Sequence, residues 1–169
     1  MEELPFGDAA FDVVTGFNAF QFAGDAARAL REAARVCRPA GAVAVLTWGL
    51  REDCDIPRAI VPKLGPLMPP GPAQGPTPFD WATPGSTESM LEQAGLKVAD
   101  RGELACSFAY ADVATAWRAN SAAAPFVRAA RHSGDERVRA TFVEAVRGFV
   151  QKDGAVVLNN KFRWVIGRK

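Results

Sequence analysis

Few side chains in this sequence are of the types that act as nucleophiles, general bases or metal ligands, and those few are widely spaced. His132 is the only histidine, and it lies close to Gly134, where we expect a surface turn between helices. Cys37, Cys54 and Cys106 are an odd number of cysteines at wide intervals, which fits neither a disulfide framework nor a zinc site. We therefore expect no metal and no catalytic triad, and we expect the cysteines to be small buried apolar residues.

The composition is that of an ordinary globular domain. The 169 residues are 49% hydrophobic and 23% charged, and 20 basic against 19 acidic residues give a net charge of +1. Such a balance gives no field that would attract a nucleic acid or a membrane surface. The strongest apolar run, 42–48, is far shorter than the roughly 20 residues of a membrane-spanning helix. The acidic start also differs from a signal peptide, so we expect a cytoplasmic protein.

The first third of the sequence predicts a strand, a helix and a second strand. Residues 11–16 are rich in β-formers and end in glycine, which is typical of a buried parallel strand. Asp25 can cap a following helix that carries an alanine and leucine stripe, and Pro39 stops this helix. Because the next run, 42–48, is continuously apolar, we expect a parallel pair joined by a right-handed crossover.

The composition changes between residues 57 and 84, where nine of the 12 prolines lie. Proline removes a backbone donor, so we expect this segment to hold neither a regular helix nor a central strand. Two roles remain open for it. It is either a long rigid connector or a flap over a binding site.

The remaining sequence predicts further helices and two strands. Ser86 or Thr87 can cap a helix that Gly95 closes, and 96–110 is strand-like with an irregular middle.

Beyond this strand the sequence predicts a helical region and a last strand. Asp112 can cap a helix, Pro125 begins a short turn, and 135–151 has the clearest amphipathic pattern. Residues 156–166 alternate in polarity and predict a last strand with one buried face.

Four stretches resemble, in the same order, segments of the class I S-adenosylmethionine-dependent methyltransferases of the small-molecule type. LPFGDAAFDVV at 4–14 resembles the approach to the family's fourth strand and the strand itself. ALREAARVCRPAG at 29–41 resembles the helix and turn before the fifth strand, with Ala40 in place of the first glycine of an Arg-Pro-Gly-Gly. STESMLEQAGLKV at 86–98 resembles the next helix and strand, and FRWVIGRK at 162–169 resembles the seventh, antiparallel strand.

This resemblance covers the family's carboxy-terminal two-thirds and implies an α/β fold. We expect one partial, truncated Rossmann-like domain over 1–169, with a mixed sheet in the order 4-5-7-6 and an antiparallel last strand. Residues 106–151 match as a helical insert on the substrate side. The family's glycine-rich cofactor loop and the acidic residue that ends its second strand have no counterpart in the sequence.

The resemblance also implies S-adenosyl-L-methionine as cofactor and places the residues around it. The residues expected beside the cofactor are Met1, Glu2, Gly16, Phe17, Asn18 and Gln21. Those expected to line the acceptor site are Trp48, Phe79, Trp81, Trp117 and Asn120, although ordinary core packing is the alternative for each ring. Gln21 stands where many relatives have a histidine, and an amide cannot serve as a base. Methyl transfer depends mainly on alignment in a dry pocket, so no catalytic residue is assigned.

Without a preceding half, the family's fourth strand would be an exposed apolar edge. We expect it to pair with another copy or subunit, to belong to a longer protein, or to be covered by the chain's own aromatic residues. Two functions follow. The chain is a methyltransferase, or its acceptor-side half, that acts on a small molecule. Alternatively, it is an inactive methyltransferase-like remnant that serves as a binding or assembly module.

Overall fold

A computed structural model of the chain describes residues 1–71 and 78–169. These residues form a four-stranded sheet in the order β1-β2-β4-β3, with β1 (Phe11–Phe17), β2 (Cys37–Trp48), β3 (Lys97–Tyr110) and β4 (Val156–Arg168). β1 is parallel to β2, and β4 is antiparallel to β2. The expected mixed α/β sheet, with its order four, five, seven, six and its antiparallel last strand, is therefore confirmed.

Six α-helices accompany the sheet in the described residues: α1 (Ala26–Val36), α2 (Val61–Leu64), α3 (Ser86–Gln93), α4 (Val113–Ser121), α5 (Ala124–Ser133) and α6 (Asp135–Val146). The chain divides into two compact units. Unit 1 consists of Met1–Leu50, Gly75–Leu104 and Lys161–Lys169, and unit 2 consists of Arg51–Gln74 and Ala105–Asn160. None of the helices in the described ranges has the length and apolar character needed to cross a membrane.

Helix α1 begins where the sequence predicts, but it ends earlier, because β2 already starts at Cys37 and includes Pro39. The carboxylate of Asp25 accepts a hydrogen bond from the backbone N–H of Arg28 at 2.9 Å, which satisfies one of the free donors of the first turn. Its small apolar residues are buried, together with Leu30, against β2 and the core of unit 1. The helix ends at Val36, three residues before Pro39.

The core of unit 1 lies between one face of the sheet and the helices α1 and α3. It contains Val43, Val45 and Val165 from the strands, and Leu30 and Leu91 from the helices. This packing removes continuous apolar surface from water, which is the main stabilising contribution of the unit.

The ends of α3 confirm one expectation and correct another. Gly95 has φ +83 and closes the helix, and the N–H of Leu96 donates to the carbonyl of Leu91 at 3.0 Å. The expected capping by Ser86 or Thr87 is wrong, because Gly85 is the cap residue and Ser86 is already helical. The hydroxyl of Thr87 instead donates to the carbonyl of Trp81 at 2.8 Å.

The strand β1 is parallel, as expected, but the prediction that it is buried is wrong. Only Gly16 is buried along its length, and Val13 and Phe17 are 58% and 62% exposed. The physical reason is its position, because β1 lies at one end of the sheet and pairs with β2 alone among the described strands.

Unit 2 has its own aromatic core. The ring centroid of Trp117 lies 5.5 Å from that of Phe142, and the ring of Phe126 lies 5.7 Å from that of Phe142.

Asp112 caps α4 by accepting from the N–H of Thr115 at 2.6 Å, and this hydrogen bond lowers the pKa of Asp112. Pro125 does not begin a short turn. It lies in the first turn of the ten-residue helix α5, where a missing N–H costs nothing.

The proline-rich segment is more helical than the sequence suggests. A π-helical turn over Ile56–Ile60, α2 and a 3₁₀ turn over Gly65–Leu67 follow one another, so the expectation of no regular helix is wrong here. Each turn carries a proline at its start, where helices tolerate it. The part of the segment at 72–77 lies outside the described residues. Its role as connector or flap stays a prediction.

The segment 106–151 is also not entirely helical, because β3 extends to Tyr110 and the first helix begins at Val113. The irregular middle expected in 96–110 is absent too, since Lys97–Tyr110 is one strand.

The turn that enters the second half of β2 carries a strained residue. Ala40, which by the sequence resemblance replaces the first glycine of the turn, has φ +62. A left-handed conformation costs an alanine about 1–2 kcal/mol, whereas glycine adopts it freely.

We therefore expect Ala40→Gly to stabilise the chain by about 0.5–1 kcal/mol, because relief of the strain exceeds the extra entropy that glycine brings to the unfolded chain. Urea unfolding of the two proteins measures this. Ala44→Gly, in the regular part of the same strand, is the matched control and should destabilise. Equal loss of stability in both variants would show that Ala40 is not strained.

Candidate functional site

At the carboxyl end of β1, Gly16 is packed so closely that a side chain there would force its neighbours to move. The ring of Phe20 lies so close to Gly16 that a methyl group at Gly16 would overlap a ring carbon. Gly16 is buried and Phe20 is 5% exposed. The aromatic loop after β1 therefore folds back onto the strand end, and we name this packing of Phe20 on Gly16 the cradle.

The loop after β1 positions two amides next to this cradle. Asn18 has φ +48, a conformation that asparagine tolerates better than most residues. Its N–H donates to the carbonyl of Leu46 at 2.7 Å, and its Oδ1 accepts from Nε2 of Gln21 at 3.0 Å. The other amide atom of Gln21, Oε1, is buried and has no hydrogen-bond partner among the described residues. A buried acceptor without a partner costs free energy, so this atom fits a donor from a ligand.

Aromatic side chains stand at the same edge of the sheet. Because β1 and β2 are parallel and Phe17 pairs with Leu46, the end of β2 at Trp48 lies beside the end of β1. The ring of Trp48 lies 6.1 Å from that of Phe79 and 4.9 Å from that of Phe162. In open α/β sheets, ligands bind outside the carboxyl ends of parallel strands. Trp48 and Phe79 lie near this edge, and their role at an acceptor site stays a prediction.

The structure gives the first two residues different surroundings. Met1 is 52% exposed. The carboxylate of Glu2 accepts from the backbone N–H of Asp25 at 3.0 Å, at the positive end of α1. This contact accounts for Glu2 structurally, and its role beside a cofactor stays a prediction.

The turn that leads into β1 is fixed by two side chains of α1. Arg35 forms a bidentate pair with Glu32 at 2.9 Å and also donates to the carbonyl of Leu4 at 3.2 Å. The same guanidinium donates to the carbonyl of Phe6 at 2.9 Å and to the carboxylate of Asp8 at 2.7 Å. Glu32 in turn accepts from the N–H of Leu4 at 3.0 Å. We name this set the Glu32–Arg35 clamp.

The clamp changes the acidity of its members. The hydrogen bond from Arg35, supported by the one from the Leu4 N–H, lowers the pKa of Glu32 from 4.5 to about 2. The hydrogen bonds to Glu32 and Asp8 raise the pKa of Arg35 further above its ordinary value. Both groups are therefore charged throughout the physiological range.

The other expected acceptor-site residues are distributed over both units. Trp81 is 4% exposed and belongs to the core of unit 1. Its ring therefore packs in the core, which the sequence analysis gave as the alternative to lining an acceptor site. Trp117 belongs to the aromatic core of unit 2. Asn120, also in unit 2, is 8% exposed, and its Nδ2 donates to the carbonyl of Ala116 at 2.8 Å and to the hydroxyl of Tyr110 at 3.3 Å. The structure thus brings together Gly16, Phe17, Asn18 and Gln21 with Trp48 and Phe79 at one edge of unit 1.

The histidine and the cysteines, which are the residues that could bind a metal or act as a nucleophile, do not cluster in the described residues. His132 is exposed in the last turn of α5 rather than in a loop between helices. Cys37 and Cys54 are buried, as expected, and Cys106 is only half-buried. Within 1–71 and 78–169, no three histidine, cysteine or acidic residues are close enough to hold a metal ion.

Sequence reasoning missed three features of unit 1. The packing of Phe20 on Gly16 could have been suspected, because the loop 17–22 holds three aromatics. The Glu32–Arg35 clamp had no signal beyond an ordinary i, i+3 pair. The buried ion pair of Glu88 and Arg163 joins α3 to β4 across 75 residues and has no sequence signal. Burial alone would raise the pKa of Glu88, but its hydrogen bonds, including that from Arg163, and the positive charges of Arg163 and Arg101 lower it.

Comparison with known proteins bears on the fold. Residues 1–45 match the family model described as "Methyltransferase domain". A proposed methyltransferase from Bacillus halodurans C-125 superposes with a TM-score of 0.57 at 17% identity, over 99% of this chain and 68% of that one. The YcgJ protein of Bacillus subtilis gives 0.54 at 22% identity with the same coverages, and the [4+2]-cyclase SpnF gives 0.51 at 19%, over 99% and 54%.

The fold is therefore that of the class I methyltransferases, as the sequence resemblance implied. The sequence match to a methyltransferase domain covers the first 45 of the 169 residues. The chain spans about two thirds of the length of the first two proteins and about half of the third.

The cradle at Gly16 generates a first prediction for this site. We expect Gly16→Ala to destabilise unit 1 by about 1–3 kcal/mol, because the added methyl group and the ring of Phe20 cannot occupy the same space. Adding Phe20→Leu to Gly16→Ala should restore part of that loss. Gly7→Ala, where a Cβ meets nothing within 4 Å, is the control. Additive effects in the double variant, measured by denaturant unfolding, would contradict the contact.

The clamp generates a second prediction, for pH. Since folding lowers the pKa of Glu32, its contribution is complete above the unfolded value of 4.5 and is lost as pH falls from there to about 2. The difference in unfolding free energy between the wild type and Glu32→Gln should therefore shrink across this interval. Glu92→Gln, at an exposed position of α3, serves as the matched control. A difference that stays constant down to pH 2 would mean that the clamp does not form.

Proposed function

We propose that this chain forms the acceptor side of an S-adenosylmethionine-dependent methyltransferase that acts on a small molecule. One observation supports this most directly. A buried, unpartnered amide oxygen and a glycine cradle stand at the carboxyl end of β1, within a fold shared with methyltransferases. The activity of a complete enzyme is part of the proposal, since this chain spans only part of its structural neighbours.

The residues at the end of β1 fit part of the cofactor. The ammonium group of a methionine moiety is a strong donor, and Oε1 of Gln21 is a buried acceptor that lacks one. Gly16 leaves room for the ring of Phe20, which packs on the strand end, and Phe17 is exposed there. The adenosine part would need further contacts, which we propose to come in part from Met1 and Glu2. When bound, the cofactor supplies an already activated methyl group.

The chain's own contribution to the reaction is positioning and the exclusion of water. Trp48 and Phe79 provide an aromatic wall beside the end of β1, and such a wall orients a flat or apolar acceptor. Aromatic faces also attract positive charge, which suits a cationic donor group nearby. Gln21 cannot accept a proton at neutral pH, so no base is assigned there. We propose a small, largely apolar acceptor and, as the composition suggests, a cytoplasmic location.

A second function is favoured by the exposed strand. β1 presents Val13 and Phe17 to solvent, as an assembly surface would. SpnF has a similar fold and is named for a different reaction, a [4+2] cyclisation. The fold alone therefore does not determine the reaction. The alternative is therefore a catalytically inactive binding or assembly module.

Cofactor titration distinguishes the two functions. We expect S-adenosylmethionine to bind the chain measurably in calorimetry, and Gln21→Leu to weaken binding about tenfold through loss of one hydrogen bond to a charged group. Gln93→Leu, on α3 and away from the end of β1, is the matched control and should bind as the wild type does.

Two outcomes would contradict the proposal. No heat and no thermal shift at millimolar cofactor would exclude catalysis by this chain alone and favour the assembly module. Equal affinities of the Gln21→Leu and wild-type proteins would place the cofactor elsewhere.

A further inference from the structure

Two segments of the chain contain no acidic residue. Residues 56–79 and 113–134 hold none of the 19 aspartates and glutamates, although they carry arginines, a lysine and the single histidine. The chain as a whole has a net charge of only +1, so this absence of negative charge is local. The two segments meet within unit 2, where the hydroxyl of Ser133 donates to the carbonyl of Leu67 at 3.0 Å. Neither segment can therefore neutralise a cation of the other.

A cavity of about 720 Å³ lies where these two segments meet. This volume falls within the roughly 300–1,000 Å³ that is usual for small-molecule sites. Both segments contribute apolar side chains to its wall, namely Pro69, Ala122, Ala124 and Val127. The charged part of the wall comes from α5 alone and consists of Arg128, Arg131 and His132. The cavity thus has an apolar side and a cationic side.

The three cationic side chains share one face of α5. Arg131 and His132 follow Arg128 by three and four residues, which is the spacing of neighbours on a helix surface. The other face of α5 is held in the core of unit 2, where Phe126 is 2% exposed and Ala129 is fully buried. Because that face is fixed by packing, the helix presents its cations to the cavity in a defined arrangement.

These cations lack a counter-charge within the part of the chain that the structure describes. Across 1–71 and 78–169, neither Arg128 nor Arg131 nor His132 forms an ion pair or a side-chain hydrogen bond. Asp135 lines a neighbouring cavity together with Arg131, but it does not lie within ion-pair distance of that guanidinium. Asp135 instead begins α6, where a carboxylate interacts favourably with the positive end of the helix.

The end of the helix explains only part of this cluster. Cations in the last turn of a helix are stabilised by its free carbonyl groups, and Arg131 and His132 lie in the last turn of α5. Arg128 lies one turn earlier, beyond the range of that effect. A second guanidinium in the same cavity therefore calls for another explanation.

We propose that this cavity binds a small molecule that carries a phosphate or carboxylate group on an apolar body. Guanidinium groups bind such oxyanions through paired N–H donors, and the imidazole of His132 adds a further donor. The apolar side of the cavity accommodates the body of the ligand. The inference uses the charge and shape of unit 2 alone, so it is independent of the proposed methyl transfer.

An NMR titration of the full chain tests the proposal, because the single histidine lies in the cavity and its ring signals report on it. At constant pH, we expect phenyl phosphate or benzoate to shift the His132 signals and to saturate. Benzyl alcohol, which has a similar ring but no charge, should leave them unchanged. Comparison of the two anions distinguishes a phosphate ligand from a carboxylate ligand. Added salt should weaken the binding, since the cations are exposed.

Substitution of the arginines locates the binding. Arg128→Gln and Arg131→Gln should each weaken binding of the preferred anion about tenfold, because each removes a hydrogen bond between charged groups. Arg118→Gln is the matched control, since Arg118 belongs to the same acid-free segment but lies on α4 and does not line the cavity. All three side chains are exposed, so the variants should fold, and circular dichroism verifies this.

Three results would overturn the proposal. The first is the absence of a saturating shift with either anion. The second is an equal response to benzyl alcohol, which would make the cavity merely apolar. The third is an unchanged affinity in both Arg128→Gln and Arg131→Gln, which would place the anion elsewhere. Calorimetry of these variants with S-adenosylmethionine should match the wild type, and it separates failure of this proposal from failure of the proposed function.

Discussion

The parallel pairing of β1 with β2 determines most of what unit 1 can do. Two parallel neighbours require a crossover, and α1 provides it while burying its alanine stripe on one face of the sheet. The same geometry puts both carboxyl ends at one edge, which is why Asn18 can bond to Leu46 and why Trp48 stands nearby. The Glu32–Arg35 clamp extends this arrangement, because the helix that connects the strands also fixes the turn before the first of them.

The sequence predicted the elements whose signals are local. Asp25 and Asp112 cap helices because a carboxylate can reach the amides of the next turn wherever it occurs. Gly95 adopts the left-handed conformation that a helix end requires. The family resemblance added what local patterns cannot provide, namely the strand order, since no property of 156–166 alone indicates that β4 lies between β2 and β3.

The sequence predictions that were wrong have one physical origin: they depend on the surroundings of a residue in the folded chain. The prolines at 57, 62 and 66 would break one long helix, but they are compatible with a series of short turns that each start anew. β1 has the composition of a buried strand, but burial depends on a neighbour and not on composition. For the candidate site, only the family resemblance pointed to Gly16, Asn18 and Gln21. The unpartnered oxygen of Gln21 and the ring over Gly16 are visible only in three dimensions.

The insertion of β4 between β2 and β3 affects how the protein is made. On the ribosome, β2 and β3 are complete well before β4 emerges, and neither can pair directly with the other in the final order. The ion pair of Glu88 and Arg163 has to wait for the same strand, so α3 lacks its buried counter-charge during that time. Long-range strand pairing forms slowly, and unpaired apolar edges are the surfaces through which nascent chains aggregate. A chain with this order therefore exposes two strand edges to chaperones late in synthesis.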